Sequence, residues 1–123
     1  MASTKSRAYE QALKKVRGIC LALPEAAEVE AWGHPTFRAG KKMFAAFGDG
    51  EEGLTIGLKV GFDRQEELLK DGRFFPTPYA AHQGWVSLRV DGATDWDEVR
   101  GLVREAYCQV ALKRMLRALD GSA

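Results

Sequence analysis

Hydrophobic positions recur along this chain with two periods, and the change from one to the other marks out its elements. Across residues 4–23, Tyr9, Ala12, Leu13, Val16, Ile19, Cys20 and Leu23 return every three to four residues, the spacing of one apolar stripe on a helix. Lys14, Lys15 and Arg17 lie off that stripe. Pro24 ends the helix, because a proline disfavours the α conformation in the residue before it. Residues 28–32 form a short strand with Val29 and Ala31 on one side, broken by Gly33-His34-Pro35. Three β-rich runs follow at 36–39, 41–47 and 54–60, joined by Ala39-Gly40 and by the Gly-bearing stretch 48–53. Gaps this short only let a strand turn back on its neighbour, so the pattern predicts an antiparallel meander.

In the third run Leu54, Ile56, Leu58 and Val60 point one way and Thr55, Gly57 and Lys59 the other, as in a strand with one buried and one wet face. A second, short helix opens around Phe62, with Asp63 as its N-cap and Glu66 completing a capping-box-like pair, and Asp71-Gly72 closes it. Residues 73–84, with Pro76 and Pro78, read as a long irregular loop, and loops of that length in small domains often carry function. Residues 85–90 alternate again, with Val86, Leu88 and Val90 inward and Trp85, Ser87 and Arg89 outward. Thr94 or Asp95 caps a last long helix reaching about residue 119, with Trp96, Val99, Val103, Ala106, Tyr107 and Val110 on its stripe. The predicted fold is α+β in two layers, an antiparallel sheet covered on one face by the N- and C-terminal helices, in the order α-β-β-β-β-α-β-α.

Composition narrows this picture without redirecting it. The 123 residues make one domain, 1–123, and 46% apolar content supports a single packed core. The net charge of +1 makes no global demand for nucleic acid or an anionic membrane, but the charge is patchy. Residues 32–48 carry Arg38, Lys41 and Lys42 and no acid. Cys20 and Cys108 both fall on apolar stripes and read as reduced, buried thiols, which suits a cytoplasmic protein. No signal-peptide or membrane-spanning run is seen, so the expectation is a soluble protein without a membrane partner.

Candidate chemistry concentrates on the uncovered sheet face. Lys59 and Thr55 share one side of their strand, and Trp85, Ser87 and Arg89 share one side of theirs. With Lys42 outward, Phe44 would lie beside it by the two-residue period. Such a mixture of cations and rings suits phosphates and stacked bases, and the 38–42 hairpin tip extends the reach. The plain alternative is an ordinary solvated face. His34, in a Gly-His-Pro turn, reads as a hydrogen-bonding turn residue or a phosphate contact. Glu28 and Glu30 read as a solvated acidic edge. Gly33 to Gly40-Lys41-Lys42 has the wrong spacing for a phosphate loop, and no hydroxyl residue follows the lysine. Lys113, Arg114 and Arg117 read as cations placed near a helix C-terminus. No catalytic, metal or cofactor constellation is apparent, so the expectation is a non-enzyme without metal or cofactor.

The landmarks Pro24-Glu25, Trp32-Gly33-His34-Pro35-Thr36-Phe37-Arg38, Lys41-Lys42-Met43-Phe44-Ala45, Leu58-Lys59, Gly84-Trp85-Val86 and Ala106-Tyr107 resemble, in order, the MmcQ/YjbR family. The resemblance implies a two-layer α+β fold related to the secretion-chaperone-like group, and DNA binding through a pair of wings. A serine usual before the late tyrosine is Ala106 here. With the resemblance, the candidate nucleic-acid contacts are His34, Arg38, Lys41, Lys42, Lys59, Trp85 and Arg89. The alternative is a protein- or peptide-binding module using Phe74, Phe75, Tyr79 and His82 of the 73–84 loop.

Overall fold

The computed structural model describes residues 6–50 and 53–121. Helix α1 runs Arg7–Cys20 and starts where Ser6 Oγ accepts the Tyr9 amide at 3.0 Å. Strands β1 (Ala26–Ala31), β2 (His34–Ala39), β3 (Lys42–Gly50) and β4 (Gly53–Lys59) form the meander, followed by α2 (Phe62–Leu69). Then come β5 (Phe74–Pro76), a 3-10 turn (Ala81–Gln83) and β6 (Trp85–Arg89), and finally α3 (Trp96–Val110) and α4 (Lys113–Gly121). All strand pairs are antiparallel in the spatial order β1-β2-β3-β4-β6-β5. The expected α+β architecture and element order are therefore present, with one added strand and a divided last helix.

One apolar core fills the space between the sheet and the helices. Val16, Phe37, Phe47, Ile56, Leu58, Val99, Val103 and Tyr107 are fully buried in it. Tyr9 meets Phe47 and Phe44 meets Tyr107 edge to face, with centroids 5.3 and 5.5 Å apart. Asp95 caps α3 as expected, accepting the Asp97 and Glu98 amides. The loop after α1 is tied down twice. Tyr107 Oη donates to the Pro24 carbonyl at 2.6 Å, and Arg114 grips Glu25 through both carboxylate oxygens at 2.8 and 2.9 Å. That grip holds the Glu25 carboxyl below its usual range.

Several local expectations are corrected. The residue at the N-cap of α2 is Gly61, at φ 91°, and no side chain caps the helix, so Asp63 lies inside it. Gly61 is placed there by a close approach: both Val60 and Gly61 amides bond the Gly84 carbonyl, and a Cβ on Gly84 would stand 3.1 Å from Gly61 Cα. The 73–84 segment is not wholly irregular, since β5 pairs with β6. The last helix breaks at Ala111, which is extended, so that α4 folds back and buries Met115 and Leu119. Lys113 and Arg114 consequently open α4 instead of lying at a helix C-terminus. Cys20 is buried, but Cys108 is exposed. It follows Tyr107 on α3, a rotation of about 100° that carries it off the buried stripe. Burial pushes the Cys20 thiol up to about 12. Thr4 of the expected first helix and the acidic pair Glu51 and Glu52 lie outside the described residues.

Candidate functional site

The sheet face away from the helices carries a groove of about 910 Å³. Its floor is built of small side chains, because Thr36, Ala46, Gly48, Thr55 and Gly57 occupy successive positions across β2, β3 and β4. Lys59, Trp85 and Met43 bound one end, and His34 and Ala31 lie at the other. Among the described residues no carboxylate lines it. The segment 77–83 forms a wall. It is anchored by Thr77 Oγ1 to Ser87 Oγ at 2.8 Å, and Gln65 Nε2 donates to the Ala81 and Trp85 carbonyls at 2.7 and 2.8 Å.

Two aromatic rings stand on the rims of this groove, and sequence reasoning gave Trp32 no role. Trp32 is 87% exposed and Tyr79 is 98% exposed. Both have left-handed backbone, at φ 54° and 65°. Trp32-Gly33 is the two-residue loop of the β1–β2 hairpin, flanked by the pair Ala31–His34, and both of its residues have positive φ. Such a turn favours Asn or Gly at its first central position. A tryptophan there brings strain of about 1–2 kcal/mol without burial to offset it. Unusual backbone supporting an otherwise idle ring is the kind of feature that clusters at binding sites.

The structure disperses the seven candidate contacts. His34, Lys59 and Trp85 line the groove. His34 is exposed, and its ring makes no hydrogen bond to the turn among the described residues. Trp85 and Ser87 are buried under the 77–83 wall, against the expectation of an outward face. Arg89 lies four residues of strand away from the Lys59–Trp85 pair, roughly 13 Å, with its guanidinium 4.9 Å from the Phe75 ring centroid. Phe44 and Lys42 share a side, but it is the helix side of the sheet and not the outward one. A bulge leaves Phe44 unpaired between Ala45 and Met43, so Phe44 turns into the core. Lys42 pairs with the buried Ala39, on the helix side of the sheet, and Lys41 stands exposed at the turn. Arg38 pairs with Met43, and its Nε is buried without a hydrogen-bond partner among the described residues. Glu28 is not a free acidic edge, because Arg17 holds both its oxygens at 2.7 and 2.9 Å. Among the described residues no cluster could hold a metal ion, and no helix is long and apolar enough to cross a membrane.

The family model described as YjbR matches residues 21–109. The fold is similar to the crystal structure of a Deinococcus radiodurans protein described with the domain DUF419. That match has a TM-score of 0.72 and 23% identity, and covers 88% of this chain and 87% of that one. It is also similar to a Pseudomonas syringae protein, with a TM-score of 0.64 and 17% identity over 86% of this chain and 99% of that one. Identities this low speak for the fold alone. No curated protein matches the chain.

Proposed function

The chain belongs to the YjbR family, and from that premise we propose that it binds single-stranded DNA without catalysing a reaction, at the open groove of its sheet. The observation behind the reading is the pair of rim rings, Trp32 and Tyr79, over a floor of small residues with Lys59 and no carboxylate. A base stacks on a ring whatever its identity, and a lysine at the groove end meets a phosphate. The groove is too small and the cations too scattered to follow a duplex, so the hairpin tip with Lys41 and Lys42 plays a secondary, steering part. Arg38 and Arg89 are not required. This reading narrows the DNA binding implied by family resemblance to single strands and moves its centre from the wings to the rings.

Fluorescence anisotropy with a labelled oligonucleotide tests it. Single strands should bind more tightly than the matching duplex, and Trp32→Ala and Tyr79→Ala should each lose about 1–3 kcal/mol. Each phosphate contact should add about 0.7 to the magnitude of the slope of log affinity on log salt, and Lys59→Ala should remove one contact's worth. Absence of binding at low salt, or unaltered affinity in both ring variants, refutes the reading. A second reading, a peptide-binding module, draws on β1: it is one of the two outer strands of the sheet, beside Trp32, with Val29 exposed. An extended peptide could add there as a further strand. Binding of a peptide that Trp32→Ala abolishes, with no DNA binding, would favour that alternative.

A further inference from the structure

On the opposite side of the molecule, α1 and α3 enclose a second cleft of about 880 Å³. Its rim carries Lys14 and Lys15 from α1 and Arg100 and Arg104 from α3, all exposed, and no carboxylate lines it among the described residues. Arg100 pairs with the highly exposed Asp97 at 2.7 Å, a contact that competes weakly with a ligand. Lys14, Lys15 and Arg104 form no ion pair among the described residues. Below the rim the lining turns apolar, with half-buried Leu23 and Trp96 over Ile19 and Val103.

Gly18 sits inside α1, where glycine costs roughly 1 kcal/mol relative to alanine, yet a Cβ there would meet nothing within 4 Å. No close packing requires the glycine. It lines the cleft, and its missing side chain keeps the space between the helices open.

We propose that this cleft docks an acidic amphipathic helix of a partner protein. Its apolar stripe would lie over Leu23 and Trp96, and its carboxylates would meet the four rim cations. The cleft has helices on both sides and no free strand edge, so an extended peptide would leave its backbone polar groups unpaired, whereas a helix satisfies its own. The lining on α1 from Gln11 to Ile19 spans roughly 12 Å, about two turns of a docked helix. The proposal is independent of the sheet groove.

The test uses the full chain and a fluorescein-labelled synthetic peptide of about 14 residues, with leucines at helical three-to-four spacing and flanking glutamates. A second peptide carries lysine for each glutamate. The acidic peptide should bind and the basic one should not. Lys15→Glu combined with Arg104→Glu should weaken binding about tenfold or more, since both sites are exposed and two attractions become repulsions. Gly18→Leu should fill the cleft and weaken binding similarly while the thermal midpoint holds or rises. Trp32→Ala should change nothing here. Equal binding of the two peptides, no binding of either, or indifference to the charge reversal overturns the proposal. So does sedimentation with anionic phospholipid vesicles that depends on Lys14 and Lys15 while the acidic peptide fails to compete, which would make the cleft a membrane contact.

Discussion

Replacing Trp32 by asparagine should separate binding from stability. The ring is 87% exposed, so the covered remainder is roughly 30 Å², worth about 0.7 kcal/mol at about 25 cal/mol per Å². Against that loss stands the left-handed backbone at φ 54°, which costs an ordinary residue about 1–2 kcal/mol and asparagine less. Asparagine is also favoured ahead of Gly33 in a hairpin loop with two positive φ values. The sum predicts a small gain, about 0.5 kcal/mol, and a thermal midpoint raised by about 2 °C for a chain of this size. Loss of a stacking platform worth about 1–3 kcal/mol should meanwhile weaken single-strand binding about 5- to 150-fold. Calorimetry and anisotropy on the same protein measure both quantities. A midpoint lowered by more than about 4 °C would make Trp32 a structural residue. A stable variant with wild-type affinity would show that the strained ring has no part in binding.

Three further outcomes test the fold beneath the site. Tyr107→Phe leaves the Pro24 carbonyl without its partner and should destabilise by about 1–3 kcal/mol in denaturant titrations while leaving DNA affinity unchanged. Asp71 is held down to about 2 by hydrogen bonds from the Arg73 side chain and backbone amide. Its folded pKa is thus depressed, so its contribution is present above the ordinary carboxyl range and is lost as pH falls towards about 2. The midpoint difference between wild type and Asp71→Asn should shrink over that window, and a difference that persists at pH 2 would contradict the assignment. A thiol reagent near pH 8 should modify Cys108 alone in the folded protein and both cysteines after denaturation, read by mass spectrometry. Rapid double labelling of folded protein would mean that Cys20 is not buried as described.

Periodicity and turn chemistry were enough to place the layers. The stripe from Tyr9 to Cys20, the alternation from Leu54 to Val60 and the Asp95 cap are local signals, and each was legible because its cause lies within a few residues of chain. Lys59 could likewise be named from strand parity, and His34 from its residue type in the Gly-His-Pro turn. The rest depended on partners distant in sequence. A bulge against β2 set which side of the sheet Phe44 and Lys42 occupy, the helix side for both, and a period of two does not foresee a bulge. Trp85 is buried because Gln65 and Thr77 pin the 77–83 segment across it. Trp32 and Tyr79 lie 47 positions apart, and only the folding of that segment over the sheet brings their rings to the same groove. The cleft between α1 and α3 belongs to neither helix alone. Local physics chose the elements, whereas the surfaces where something can bind arise where elements meet, and a one-dimensional pattern does not record those meetings.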